Sequence, residues 1–171
     1  LQSDLESLLK RPVRIENDAN CFTVSEAVDG AGKNTALVFG IILGTGVGGG
    51  LAINSRPHRG INSIAGEWGH NTLPWTHQDE LMSNQCYCGK SGCIETFLSG
   101  PSLERSYSQR TGATLSVKEI VAVSEAGDLD ANYILDKFEN NLAKGLAQVI
   151  NILDPELIIM GGGLSNIARL Y

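Results

Sequence analysis

An α/β fold, in which helices pack against a sheet, is expected from three features of this chain. Two mostly apolar segments, 36–43 and 47–53, follow each other across a glycine turn and predict a pair of buried strands. Apolar residues spaced three and four apart over 130–153 predict a long helix. A further apolar segment, 157–160, follows that helix and predicts a late core strand.

The N-terminal part of the chain predicts two short helices separated by a short strand. Residues 3–6 have the pattern of a capping box, and Pro12 ends the helix that they begin. Residues 13–15 are expected to form the strand. Residues 17–20 then open a second helix, which continues to about Val28.

The remaining helices are predicted from apolar spacing and from residue types that cap helix ends. They are expected at 94–98, 101–110, 116–127 and from 164 onward. Asp130 is expected to cap the long helix, and Asp154-Pro155 ends it. Residues 56–66 show no regular period and are expected to form a loop.

Composition and charge limit the classes of function that this chain can have. Its 171 residues are enough for one domain or a little more, with 42% hydrophobic and 19% charged residues. The net charge of −6 disfavours a nucleic-acid partner for this piece. No run of 18 apolar residues and no signal peptide is found, so no membrane partner is expected and the cytoplasm is the expected location.

The sharpest signal in the sequence is a group of three cysteines and one histidine. Cys86, Cys88 and Cys93 lie within eight positions, and His70 precedes them. Three thiolates and one imidazole are the ligand set of a closed tetrahedral zinc site. Two disulfides are the alternative for four cysteines, but a short cluster with an odd number of them favours a metal. Cys21 lies apart in a helical segment and is expected to be a small buried residue.

Two glycine-rich turns follow predicted strands. Gly44-Thr45-Gly46 separates the first two strands, and its N–H groups and hydroxyl could approach phosphate oxygens closely. Gly161-Gly162-Gly163 follows the last strand, where ligands lie in open α/β sheets and where a surface without side chains suits a planar base. A glycine hairpin and a strand–helix connector without any ligand are the alternatives.

Several polar residues are candidates for acid–base chemistry and for binding hydroxyl groups. Asp18 lies in the first turn of a helix and is either a helix cap or a general base, with Asn17 beside it. Glu67 and Glu95 flank the metal cluster and either accept hydrogen bonds from vicinal hydroxyls or are surface charges. His70 could bind a metal through one ring nitrogen and a hydroxyl through the other.

Taken together, these motifs resemble the ROK family of bacterial sugar kinases and sugar-responsive repressors. The resemblance covers about residues 13–165 and is carried, in family order, by Asn17-Asp18-Ala19-Asn20, Gly44-Thr45-Gly46, Glu67-x-Gly69-His70, Cys86-x-Cys88-Gly89-x-x-Gly92-Cys93-x-Glu95 and Gly161-Gly162-Gly163. The stretch Leu73-Pro74-Trp75, together with Cys86-Tyr87-Cys88-Gly89, is most similar to the fructokinase (manno/fructokinase) branch.

The resemblance implies an actin-like, ribonuclease H-like ATPase fold of two lobes with the sugar between them. It implies that Asp18 is the catalytic base and that the sugar is held by Asn17, Glu67, His70 and Glu95. It implies ATP with Mg²⁺, the phosphates facing Gly44, Thr45 and Gly46 and the adenosine facing Gly161, Gly162 and Gly163. The ligands of a structural zinc ion would be His70, Cys86, Cys88 and Cys93.

The same resemblance divides the chain into parts of two lobes. Residues 1–32 would be the end of the first lobe and the inter-lobe connection, and 33–171 most of the second lobe, with the zinc loop at 70–93. The chain lacks an initiator Met and an Asp-x-Gly-x-Thr-type phosphate loop before Val13, so it is expected to be a fragment. This piece alone is expected to fold and bind zinc without phosphorylating a sugar, and the intact protein is expected to be a homodimer.

The expected function is ATP-dependent phosphorylation of a hexose. Fructose is favoured by likeness alone, and mannose, glucose and N-acetylglucosamine remain open. A sugar-sensing transcriptional repressor of the same family is the main alternative, which would carry a DNA-binding module before this piece. A freestanding zinc-stabilised interaction module is a third.

Overall fold

The computed structural model describes residues 1–171 and is organised around a mixed sheet of four strands. In chain order the strands are β1 (Leu37–Leu43), β2 (Val47–Ile53), β3 (Arg56–Pro57) and β4 (Leu157–Gly161). Their order across the sheet is β3-β2-β1-β4, with β1 antiparallel to β2 and parallel to β4. Because β1 and β4 are parallel, the glycine-rich turns that follow them lie at the same end of the sheet, beyond the carboxyl ends of these two strands.

The chain forms seven α-helices in addition to this sheet. They are α1 (Gln2–Leu9), α2 (Asp18–Asp29), α3 (Gln78–Ser83), α4 (Glu95–Leu98), α5 (Gly100–Thr111), α6 (Val117–Glu125) and α7 (Leu129–Leu153). Short 3-10 turns cover Trp68–His70, Gly163–Asn166 and Ala168–Leu170. None of the helices combines the length and the apolarity that crossing a bilayer requires.

The two faces of the sheet are covered by different helices, because side chains alternate along a strand. Phe39, Ile41 and Leu43 of β1 point into a large apolar core that also contains residues of α4, α5, α6 and α7. Val38, on the opposite face, packs in a small cluster with Ala27 of α2. The expected α/β layers are therefore present, with α2 alone on one face.

Helix α2 lies unusually close to the sheet because glycines face it. A Cβ atom built on Gly40 would lie 2.1 Å from the Thr23 hydroxyl oxygen, and one built on Gly50 would lie 2.5 Å from it. The Thr23 hydroxyl is fully buried and donates a hydrogen bond to the Ala19 carbonyl at 2.7 Å. Glycine at both positions is what lets the first turns of α2 rest directly on β1 and β2.

Residues 56–57, within the segment expected to be a loop, form strand β3 against β2. Three further local predictions are wrong. Residues 13–15 form no strand, because no strand edge lies beside them to complete the hydrogen bonds of a ladder. The capping box at 3–6 does not form, and α1 begins at Gln2 without a side-chain cap. The segment from 164 onward forms 3-10 turns rather than an α-helix.

Two single-residue expectations are also corrected. The long helix α7 is capped by Asp128, whose Oδ1 accepts from the Ala131 N–H at 2.7 Å, while Asp130 pairs with Arg110 at 2.6 Å. Cys21 is exposed rather than buried, because it lies on the side of α2 that faces away from the sheet. Helix α6, in contrast, begins with a complete capping box, in which Ser116 and Glu119 make both reciprocal bonds.

Candidate functional site

The elements that carry the candidate site residues come together at the first residues of β2. The Val47 N–H donates to Oε2 of Glu95 at 2.9 Å. The Trp68 indole N–H donates to the Gly48 carbonyl at 2.9 Å, which fixes the turn that carries Glu67 and His70. On the other face, a Cβ built on Gly48 would lie 3.4 Å from the Ala19 methyl group, so the start of α2 also lies beside this segment.

Asp18 lies in the first turn of α2, but Asn17 caps the helix. The Asn17 Oδ1 accepts from the N–H groups of Ala19 and Asn20 at 2.9 and 3.3 Å. Asp18 is exposed and accepts through Oδ1 from the Ala19 N–H at 2.9 Å. Since the capping role belongs to Asn17, Oδ2 of Asp18 remains available to a ligand.

Glu16 is a neighbouring residue that sequence reasoning did not single out. It pairs with Arg59 and accepts hydrogen bonds from the Asn20 side chain and from the Asn17 N–H, both at 3.0 Å. Burial raises its pKa, but these hydrogen bonds and the Arg59 charge outweigh burial and hold the pKa below the usual value. The pair ties the loop after β3 to the start of α2.

The four predicted metal ligands converge. The ligand atoms of His70, Cys86, Cys88 and Cys93 all lie within 4.8 Å of one another. The His70 Nδ1 lies 3.6 Å from the Cys86 sulfur, and the sulfurs of Cys88 and Cys93 are 3.6 Å apart. Zinc–ligand bonds of about 2.0–2.3 Å in a tetrahedron require ligand separations of this size. The donor set and its spacing therefore fit a zinc ion.

The loop that carries the three cysteines is closed by backbone hydrogen bonds. The Leu73 N–H donates to the Gly92 carbonyl at 2.9 Å, and the Ile94 N–H donates to the Asn71 carbonyl at 2.8 Å. Gly89 and Gly92 have φ values of 88° and 73°, which glycine adopts without steric cost. These turns aim the cysteine side chains at one centre.

The thiols of this cluster differ in acidity. Burial first, and then the hydrogen bonds and charges of the neighbouring Cys86 and Cys88, raise the pKa of Cys93 to about 12. The backbone N–H of Lys90 lowers the pKa of Cys88. In the metal-free protein Cys93 therefore keeps its proton, and a bound cation would have to displace it.

The second ring nitrogen of His70 faces a residue that sequence reasoning also missed. Its Nε2 lies 3.2 Å from the Tyr87 hydroxyl, and the two rings meet edge to face at 5.3 Å. The Glu95 charge, then burial and the charges of the neighbouring cysteines and Glu67, raises the pKa of Tyr87. Glu67, His70 and Glu95 therefore share one polar region with the Tyr87 hydroxyl. The only signal in the sequence is the position of this tyrosine between two cysteines.

A cavity of about 720 Å³ opens beside the glycine-rich turns. Of the predicted nucleotide residues, Gly44, Thr45 and Gly163 line it. Gly100 lines it too, and the Gly100 N–H donates to the Gly44 carbonyl at 2.7 Å. The sequence did not indicate the wall from α5 and α6, formed by Pro101, Glu104, Val117, Lys118 and Val121.

The other three glycines of the two turns do not line this cavity. A Cβ built on Gly161 would lie 2.6 Å from the Phe22 ring, and one on Gly162 would lie 2.4 Å from the Leu43 carbonyl oxygen. A Cβ on Gly46 would lie 2.7 Å from Oε2 of Glu95. These glycines permit close packing around the cavity and do not form its surface.

Comparisons with known proteins agree on one family. The ROK family model matches residues 1–171. The N-acetyl-D-glucosamine kinase of Pectobacterium carotovorum is 43% identical over 175 residues, covering 100% of this chain and 58% of that protein. A ROK family glucokinase from Streptomyces griseus, solved in complex with glucose and AMPPNP, superposes with a TM-score of 0.84 at 32% identity, covering 99% of this chain and 58% of that chain.

A ROK family transcriptional regulator, a homologue of the E. coli MLC protein, also superposes. Its TM-score is 0.83 at 26% identity, with 100% of this chain and 44% of that chain covered. The chain thus spans 58% of the length of the curated kinase that it matches. These relatives do not support the expected fructokinase branch. They confirm the mixed α/β, actin-like ATPase fold, and the chain belongs to the ROK family.

Proposed function

We propose that the complete protein containing this chain is an ATP-dependent hexose kinase. The observation that carries this proposal is the meeting of three elements at the start of β2: the helix of Asp18, the Glu95 carboxylate and the turn beside the large cavity. Acid–base, sugar-binding and phosphate-binding groups within one region are what phosphoryl transfer to a hydroxyl requires. Its relationship to named sugar kinases supports the same reaction class.

Asp18 is proposed as the general base. A hexose hydroxyl attacks the γ-phosphorus of ATP, the bond from that phosphorus to the β,γ-bridging oxygen breaks, and ADP leaves. The hydroxyl proton passes to the Oδ2 of Asp18, the carboxylate oxygen that has no role in capping α2. Asn17 holds the helix start in place through its side-chain oxygen, and its NH₂ group is proposed to donate to the sugar.

Glu67, His70 and Glu95 are proposed to orient the hexose. Carboxylates accept hydrogen bonds from adjacent hydroxyls, and the His70 Nε2 faces the same region as the Tyr87 hydroxyl. Holding the ring in one orientation keeps a single hydroxyl in line with Asp18 and removes much of the entropic barrier to reaction. The N–H and hydroxyl of Thr45 are proposed to contact the phosphates, while the Gly44 N–H donates to the Gly46 carbonyl at 3.0 Å and so holds the turn closed. The cavity that reaches Gly163 is proposed to hold the adenosine.

Two ions belong to this proposal. Mg²⁺ supplies charge neutralisation for the ATP phosphates. Zinc would be held by His70, Cys86, Cys88 and Cys93, and four protein ligands leave no open position, so its role is structural. It would pin both ends of the segment between Glu67, three residues before His70, and Glu95, two residues after Cys93.

The arrangement of the whole protein is also part of the proposal. Residues 1–32 are assigned to the end of the first lobe and the inter-lobe connection, and 33–171 to the second lobe. Closure of the two lobes over the sugar would exclude water and limit ATP hydrolysis. A cytoplasmic homodimer is the proposed state of the complete protein.

A panel of hexoses tests the function and the substrate together. The complete protein is assayed for ADP release with D-fructose, which the local sequence pattern favours, and with N-acetyl-D-glucosamine, which the name of the 43% identical relative favours. D-mannose and D-glucose complete the panel. Hexose-dependent ADP release supports the proposal, and its absence with all four sugars overturns it.

A sugar-sensing repressor is the second candidate, supported by the likeness to a ROK transcriptional regulator. A sensor needs the hexose pocket but no base that accepts a proton. The free oxygen of Asp18 therefore favours the kinase. Sugar-dependent DNA binding by the complete protein, without ADP release, would favour the repressor.

A further inference from the structure

We propose that Glu95 couples the hexose pocket to the phosphate-binding turn, so that each ligand strengthens the binding of the other. One carboxylate oxygen, Oε2, holds the turn through the Val47 N–H, which leaves the other, Oε1, for the sugar. The inference rests on the proposed function and adds a role for Glu95 beyond contact with sugar. Glu95 becomes a positioning residue for the nucleotide site.

The hydrogen bond joins two parts of the chain that are 48 residues apart. Val47 is the first residue of β2, and its N–H is the first peptide group after the turn at Gly44-Thr45-Gly46. The bond is 2.9 Å long and part-buried, and the acceptor is a carboxylate, so it belongs to the stronger class of hydrogen bonds. The position of this turn therefore depends on where the Glu95 carboxylate lies.

Gly46 shows how closely the carboxylate and the turn fit together. A Cβ built on Gly46 would lie 2.7 Å from Oε2, whereas a Cβ built on Gly44 would meet no atom within 4 Å. Neither glycine has a φ in the left-handed region, so the backbone itself tolerates alanine at both positions. A side chain at position 46 would therefore disturb the contact with Glu95, whereas a side chain at position 44 would not.

The segment from Glu95 to Gly100 also contacts the other end of the turn. Glu95 begins α4, and Gly100 begins α5 five residues later. The Gly100 N–H donates to the Gly44 carbonyl at 2.7 Å, so one side chain and one backbone group of this segment bracket the turn. Gly44 and Gly100 both line the large cavity. A sugar that fixes Glu95 would therefore also steady the wall of the nucleotide cavity.

The effects of hexose and nucleotide on each other's affinity must be equal, because the two binding equilibria are thermodynamically linked. If a bound hexose orders Glu95 and the turn, the nucleotide no longer bears that ordering cost, and its affinity rises. The nucleotide must then raise the affinity for hexose by the same factor. The coupling gives the enzyme its highest ATP affinity when the acceptor sugar is present.

The sugar side of the coupling is tested with two alanine variants of the complete protein. Hexose affinity is measured by calorimetry without nucleotide, using the sugar that supports turnover best. Gly46→Ala places a methyl group against Oε2 of Glu95 and should weaken hexose binding roughly fivefold, within the usual range of coupling energies. Gly44→Ala is the matched control and should change hexose affinity less than about twofold, because open space surrounds its Cβ.

The effect on the nucleotide site is tested by comparing the AMPPNP affinity of two variants, each of which lacks one of the two proposed sugar-binding carboxylates. Glu95→Ala should weaken AMPPNP binding roughly fivefold in the absence of sugar, because the Val47 N–H loses its acceptor. Glu67→Ala, which removes a carboxylate that does not bond to the turn, should leave AMPPNP affinity within about twofold. Should Gly46→Ala fail to fold, this pair decides the question alone.

The outcomes separate the coupling from the function. If the complete protein turns over a hexose but Glu95→Ala and Glu67→Ala bind AMPPNP equally well, the coupling is rejected and the kinase assignment stands. Hexose affinity in a folded Gly46→Ala variant equal to that of wild type rejects it too. If no hexose supports turnover, the proposed function fails first and the coupling fails with it.

Discussion

Gly50 of β2 lies directly beneath α2, and Gly50→Ala is expected to displace the helix that carries Asp18. The added Cβ would lie 2.5 Å from both the Ala19 carbonyl oxygen and the Thr23 hydroxyl oxygen. Ordinary van der Waals contact begins at 3.4 Å, so α2 and β2 must separate by about 0.9 Å at this point. Asp18 immediately precedes Ala19 and would move with it.

A misplacement of about 1 Å costs roughly 10²-fold in rate when a reacting group depends on alignment. Overpacking of this kind also costs about 1–3 kcal/mol of stability. We therefore expect Gly50→Ala in the complete protein to stay folded and to lose roughly 10²-fold in kcat. The loss should fall on kcat more than on sugar affinity, because only Asn17 among the proposed sugar residues lies at the start of α2, whereas Glu67, His70 and Glu95 lie on other elements.

Gly48→Ala is the matched control for this experiment. Gly48 lies on the same strand, and its added Cβ would meet the Ala19 methyl group at 3.4 Å, an ordinary contact. ADP release is measured at saturating hexose and ATP, and circular dichroism establishes that both variants are folded. A folded Gly50→Ala variant whose kcat matches that of Gly48→Ala would refute the dependence of Asp18 on this contact.

Three further predictions concern the metal, the tyrosine and pH. Purified protein should contain about one zinc per chain. Removal of the zinc by a chelator should weaken hexose binding, because the loop that carries Cys93 loosens without the metal. A zinc content well below one per chain, in protein whose cysteines are reduced, counts against the site. Tyr87→Phe should strengthen hexose binding roughly twofold to tenfold in calorimetry, because it frees the His70 Nε2; weaker binding would contradict this. Glu16 has a lowered pKa, so its stabilisation is present above the unfolded value of 4.5 and is lost as pH falls through the lower folded value. The difference in Tm between wild type and Glu16→Gln should therefore be constant above about pH 5 and shrink in acid; a difference that stays constant to about pH 3 would contradict it.

The elements that could be predicted from the sequence are those whose apolar residues recur at a regular spacing along the chain. The apolar segments became β1, β2 and β4, and the spacing of apolar residues became α7, because burial selects a period that is visible along the chain. The spacing of the cysteines likewise placed four candidate ligands within reach of one another. Each of these signals needs only neighbouring residues.

Features that depend on contacts between distant segments were not predictable. Residues 13–15 look like a strand but have no neighbouring strand, since the sheet ends at β3 and β4. Gly161 resembles a nucleotide-facing glycine, but the Phe22 ring of α2 packs against it. Asp128 rather than Asp130 caps α7, and Asp130 pairs instead with Arg110 of another helix.

The identity of the base is the claim on which the mechanism depends most. The direct measurement is the turnover of Asp18→Asn in the complete protein at saturating hexose and ATP, together with its hexose affinity. The amide keeps the shape of the side chain but cannot accept the proton, so kcat should fall roughly 10²–10⁴-fold while hexose affinity stays within about threefold. Turnover close to that of wild type would show that Asp18 does not take the proton and would contradict the mechanism.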